Sequence, residues 1–166
     1  MYRNDIGAPA GRRGLYALGL AEWRDVDAAA RLAVARGAQS LVLVGWSMGG
    51  AVVMQTLSRW AFGDLLGAVV LDGPVLSWPE VLEHQAGLNR APAAVARLAG
   101  RLMTDRAASS KLVGLPEPLD LARTDWVARA DELEHPMLVI HSSADDVVPN
   151  RAAHRLAGLR PDLITL

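Results

Sequence analysis

The sequence predicts an α/β fold: a mostly parallel sheet flanked by helices, with a helical lid-like insert. Three observations carry this reading. Short apolar runs at 41–44, 66–71 and 137–141 alternate with segments of helical periodicity. The first run leads directly into Gly45-Trp46-Ser47-Met48-Gly49 and then into a helical stretch, so a G-x-S-x-G sequence sits at a strand-to-helix junction. The chain has 166 residues, 51% hydrophobic and 21% charged, enough to build one domain with its own core and too apolar for a disordered chain.

The elements follow in order. Residues 1–20 hold Gly7, Pro9, Gly11 and Gly14 and read as irregular. Residues 20–36 read as a helix, with Trp23, Val26, Ala30 and Ala33-Val34 as its apolar stripe and Gly37 as its stop. The run Leu41 to Val44 is apolar throughout, as in a strand buried on both faces. A helix follows Ser47 to about Trp60, and a second strand, Leu66 to Leu71, ends in Asp72-Gly73-Pro74. Residues 77–134 break the rhythm with Pro79, Pro92, Pro116 and Pro118 and short alanine-rich segments. An insert of that size is either a cap over the strand ends or a pair of covering helices. A third strand (Met137 to His141), a loop, a helix (Arg151 to Leu159) and the start of a fourth strand near Asp162 complete one domain over 1–166.

Composition narrows the function classes. The net charge of −1 makes no electrostatic case for nucleic acid or an anionic membrane surface. There are no cysteines, which excludes a thiol nucleophile, a disulfide scaffold and cysteine metal sites. No cluster has metal-ligand spacing, so neither metal nor cofactor is expected. No run reaches membrane-spanning length. Without a signal-peptide pattern the cytoplasm is favoured over secretion, and the compartment otherwise stays open. A nucleotide-binding domain would need G-x-G-x-x-G or a phosphate-loop lysine at the strand-to-helix turn, and neither is there.

The G-x-S-x-G turn points to acyl chemistry. A strand running straight into a helix forces the apical residue into strained backbone angles and stands its side chain clear of the sheet. Glycines two before and two after Ser47 are expected to remove Cβ atoms that would collide there. The helix N-terminus brings free N–H groups and a positive dipole end to Ser47, where an oxyanion would form.

On three stretches the chain resembles the α/β-hydrolase family. They are Gly45-Trp46-Ser47-Met48-Gly49-Gly50, Val69-Val70-Leu71-Asp72-Gly73-Pro74, and Leu138 to Pro149 with its His141-Ser142-Ser143-Ala144-Asp145. The last is similar to the family's H-G-x-x-D-x-x-V-P segment, with Ser142 in place of the usual glycine. The resemblance implies a serine hydrolase of esterase, lipase or acyl-peptidase type acting on small-molecule acyl substrates. It casts Ser47 as nucleophile, the Met48 N–H as an oxyanion donor and Asp145 as the acid of a triad, with Asp72 as the alternative acid.

The resemblance also implies a partial fold, truncated at both ends. The family's catalytic histidine follows the strand that begins near Asp162, and the loop that supplies the other oxyanion N–H precedes Tyr2. Losing one such donor typically costs about 100-fold or more in rate. Of His84, His135, His141 and His154, His84 in the insert is the candidate stand-in base, because a lid can fold over a site. His141 holds the family's structural position and Asp146 is expected to face solvent. An inactive remnant serving as a binding or interaction module is the alternative. Trp46, Trp78 and Trp126 are either core or pocket lining. With its neighbouring strand missing, residues 41–44 become an uncharged sheet edge, open to self-association.

Overall fold

Burial of apolar residues on one side of a parallel sheet explains most of this architecture. The computed structural model describes residues 2–5, 7, 8, 10 and 14–166. Helix α1, Trp23–Ala35, presents Ala30 and Val26 to the interior and ends where Gly37 takes a φ of 93°. There Gly37 N–H donates to Val34 O and Ala38 N–H to Ala33 O, a left-handed stop that only glycine adopts without penalty. Strand β1 is Leu41–Trp46, and helix α2, Met48–Leu57, is buried from Gly50 to Leu57. A helix apolar on every side belongs inside a domain. Its two polar members are satisfied there: Thr56 Oγ1 donates to Val52 O and Gln55 Nε2 to Arg123 O.

Strand β2 is Leu66–Asp72. Three helices follow: α3, Trp78–Leu88, α4, Ala93–Thr104, and α5, Arg106–Lys111. The Ser77 hydroxyl caps α3 by accepting from Glu80 N–H, with Pro79 in the first turn. Asp105 caps α5 through Ala107 and Ala108 N–H. The chain then returns alongside its own departure point, where Trp126 N–H donates to Leu76 O. Strand β3 is Met137–Ile140, α6 is Arg151–Leu159 and β4 is Ile164–Thr165. All pairings are parallel, in the order β1-β2-β3-β4.

The core joins Leu43, Val69, Leu71, Val139 and Ile164 of the sheet to Val53, Met54 and Leu57 of α2 and Ala153 and Leu156 of α6. Trp126, Val127, Ala130 and Leu133, which follow the three helices of the insert, pack into this same core.

Two expectations change. β1 and β2 run on to Trp46 and Asp72, because the turn at Ser47 is stitched to the end of β2, and α2 stops at Leu57, short of Trp60. More important, β1 is not buried on both faces. Leu43 is 8% exposed, whereas Val42, Val44 and Trp46 are 59%, 68% and 76% exposed. Leu138 and Ile140 are exposed on the neighbouring strand as well. An unbroken apolar run therefore does not mark a strand covered on both sides; α2 and α6 fill one face, and alternate residues lie open on the other. Trp46 is thus not core, whereas Trp126 is core at 1% exposed.

Candidate active site

Ser47 stands at the tip of the turn between β1 and α2, with φ 52° and ψ −120°. Positive φ at a residue with a side chain is costly and persists only where the surroundings hold it. Here the hold is explicit. Ser47 N–H donates to Asp72 O, while Ser47 O accepts from Gly50 and Val75 N–H. The turn is thereby fastened to both β2 and the segment after it. Met48 opens α2, so its N–H has no acceptor one turn back in the helix.

Glycine matters here at positions 45 and 50. A Cβ on Gly45 would lie 2.8 Å from Gly49 O and from Gly50 Cα, and one on Gly50 would lie 2.5 Å from Pro74 Cβ. A Cβ on Gly49 would meet nothing within 4 Å. The sequence expectation that the second motif glycine prevents a collision is therefore corrected: Gly50, one residue further on, does so. The turn packs closely against Pro74, which linear spacing within the motif does not reveal.

The end of β2 lies alongside Asp145, the candidate acid. Gly73, with φ 51°, donates its N–H to Ile140 O, and its would-be Cβ lies 3.4 Å from Asp145 Oδ2. Asp145 Oδ1 accepts from Val147 and Val148 N–H, each at 2.9 Å. Its Oδ2 lies 3.5 Å from Nε2 of His141. The Val148 N–H first, then Val147 N–H and the nearby His141 and His84, hold the Asp145 carboxyl below the ordinary carboxylate value, against partial burial. His141, whose side chain is 2% exposed, donates from Nε2 to Val148 O. It braces the same loop.

Helix α3 also grips this loop. His84 Nε2 lies 3.0 Å from Asp146 O, and Gln85 Nε2 donates to Val147 O at 2.9 Å. Arg155 of α6 pairs with Glu80 of α3. Gln85 escaped sequence reasoning, because its partner is 62 residues away and no motif marks it. The only local signal is its place beside His84.

The fold thus gathers Ser47, the Asp72-Gly73 turn, Asp145 and His84 at the C-terminal ends of the strands. Asp72 meets Ser47 through its backbone carbonyl, and its side chain is exposed. Among the described residues, Ser47 Oγ makes no hydrogen bond, so no histidine nitrogen contacts it. His135 precedes β3, at the opposite end of the sheet; His154 is exposed on α6 and Asp146 is exposed in its loop. The cavity of about 580 Å³ between α3 and α4 is not lined by Ser47, Met48 or Asp145. Among the described residues no group of three or more His, Cys, Asp or Glu is placed to hold a metal. No helix among them is long and apolar enough to cross a membrane.

This geometry can be set beside known proteins. The model of the alpha/beta hydrolase family matches residues 6–165. The chain belongs to the α/β-hydrolase family. Its partial fold, a parallel sheet flanked by helices, recurs in solved structures of that fold. An esterase from Rhodococcus shares 22% identity at a TM-score of 0.55, over 99% of this chain and 68% of that one. A puromycin-hydrolyzing peptidase of Mycobacterium tuberculosis shares 20% at 0.57, over 88% of this chain and 20% of that one. The acylaminoacyl peptidase of Pyrococcus horikoshii shares 18% at 0.55, over 89% and 23%. At these identities the likeness is one of fold. The chain spans about a fifth of the length of these peptidases. Among curated proteins no relative matches it.

Proposed function

We propose that this α/β hydrolase is a serine hydrolase, cleaving ester, thioester or amide bonds of small acyl substrates through an acyl-enzyme on Ser47. The observation that carries this reading is the backbone of Ser47, held at positive φ by hydrogen bonds to β2 and to the segment beyond it. Such strain serves to present a side chain.

In this reading a histidine takes the Ser47 hydroxyl proton as Oγ attacks the acyl carbon, and passes it to the leaving group, which departs as alcohol, thiol or amine. Water then releases the acid and restores the hydroxyl. The Met48 N–H stabilises the tetrahedral oxyanion. Asp145, kept ionised by its own loop, orients a histidine and offsets its charge. Two described histidines lie against the Asp145 loop, His141 and His84, and His84 is the one that comes from the insert. A stand-in role requires its ring to leave Asp146 O and reach Ser47. Helices α3 to α5 are cast as a cap over the strand ends.

A second reading has an observation of its own. Among the described residues no base contacts Ser47 Oγ, as in a hydrolase fold kept as a binding or interaction module. Turnover of p-nitrophenyl esters, an acyl thioester and an acyl anilide separates the two. The first reading expects ester turnover that Ser47→Ala abolishes and His84→Ala lowers. Turnover unchanged by Ser47→Ala overturns it. A folded chain inert toward all three substrate types supports the binding module.

A further inference from the structure

The chain as a whole carries a charge of −1, but its charge is unevenly distributed. Residues 88–113 hold five cations, Arg90, Arg97, Arg101, Arg106 and Lys111, and a single acid, Asp105. All five cations are exposed, and among the described residues none of them forms an ion pair. Elsewhere pairing is common: Arg3 with Asp25, Arg31 with Asp27, Arg129 with Glu132, Arg155 with Glu80 and Arg160 with Asp162. Asp105 spends its carboxylate on the backbone N–H groups that open α5. Glu83 lies along the same α3–α4 groove as Arg97 and Arg101 and pairs with neither.

Apolar exposure gathers on the same segment. Helix α4 turns Ala96, Gly100 and Met103 inward, toward the layer that holds Leu121. Val95, Leu98 and Leu102 recur at i, i+3 and i+7 on another side of the helix, with Val95 51% and Leu98 54% exposed. Arg97 and Arg101, one helical turn apart, run along the side of that stripe next to the α3–α4 groove. Leu88, the last residue of α3, and Leu112, just after α5, are 54% and 72% exposed.

An outward apolar stripe bordered by unpaired arginines suits a helix lying in a lipid–water interface. A second copy of this chain would bring the same excess of positive charge, so self-contact through this surface is repelled. We propose that the segment from Leu88 to Val113 docks on an anionic phospholipid surface, Val95 and Leu98 entering the acyl boundary and Arg97 and Arg101 meeting the headgroups. Whole-chain charge conceals this surface; its local distribution and exposure reveal it. The inference stands apart from any chemistry at Ser47.

The test is co-sedimentation of the full chain with vesicles of phosphatidylcholine alone, or of phosphatidylcholine and phosphatidylglycerol in equal parts. Circular dichroism checks that each variant is folded. Binding is expected to the mixed vesicles, to weaken with added salt, and to fall about 25-fold in Arg97→Gln/Arg101→Gln, about fivefold per charge. Leu98→Asp, at an exposed position, is expected to abolish it while leaving the fold intact. No binding to the mixed vesicles overturns the proposal. So does equal binding to both vesicle types, or binding that neither variant changes, since the bare sheet face around Trp46 is apolar and needs no anionic lipid. Concentration-dependent self-association that Leu98→Asp removes, without vesicle binding, also overturns it and makes the stripe a contact between copies.

Discussion

Three glycines in the sequence Gly45-Trp46-Ser47-Met48-Gly49-Gly50 look interchangeable on paper and are not. Gly45→Ala and Gly50→Ala each force a Cβ into backbone or Pro74, and are expected to destabilise by about 1–3 kcal/mol or more. Gly49→Ala adds a methyl in open space within a helix, and should be neutral or stabilising by up to about 1 kcal/mol. Urea unfolding of the three variants checks this order. A Gly49→Ala variant as unstable as Gly45→Ala would mean the turn is packed differently. Asp145 makes a second residue-scale prediction. Its carboxyl is held below the usual value by the Val148 and Val147 N–H groups, so its contribution to stability is complete above the unfolded value of about 3.9 and is lost as pH falls through the lower folded value. Asp145→Ala should therefore cost about 1–2 kcal/mol at neutral pH, with the difference from wild type shrinking below about pH 4. A cost independent of pH down to pH 2–3 would show that the side chain acts by packing and not by charge.

At the scale of elements, the sequence disclosed what depends on local pattern. The three longer strands, α1, α2 and α6 stand where apolar periodicity and the Gly37 stop put them, with ends shifted by a few residues. The Ser47 turn was legible because strand, glycine, serine and helix are contiguous. What stayed hidden depends on residues far apart in the chain. The grip of Gln85 on Val147 and the stacking of Gly50 on Pro74 join elements that no local pattern links. The open face of β1 stayed hidden too, since Val42 and Val44 have the same character whether or not a helix covers them. That strand carries the prediction of this scale. β1 pairs with β2 alone among the described residues, and its outer edge has no charged side chain to deter a further strand. We propose that two copies pair antiparallel through β1, an arrangement that a two-fold axis closes. Light scattering should show association that rises with concentration, resists salt and drops in Val44→Lys. A salt-independent monomer at all concentrations sinks the idea.

At the scale of the whole molecule, the candidate site lies at one end of the four-stranded sheet that the described residues form. Ser47, the Asp72-Gly73 turn and the Asp145 loop come from the ends of three adjacent strands, and α3 holds the last of these in place. The Ser47 turn and the Asp145 carboxylate are both braced by hydrogen bonds, while among the described residues no histidine contacts Ser47 Oγ. The central claim is that Ser47 is the nucleophile this scaffold exists to present. Its most direct test is reaction of the folded chain with a fluorophosphonate probe, read by intact mass and peptide mapping, beside Ser47→Ala and His84→Ala. The account predicts a single adduct on Ser47, absent from Ser47→Ala and slowed in His84→Ala. An adduct on another serine, or a demonstrably folded chain that takes none, would contradict it.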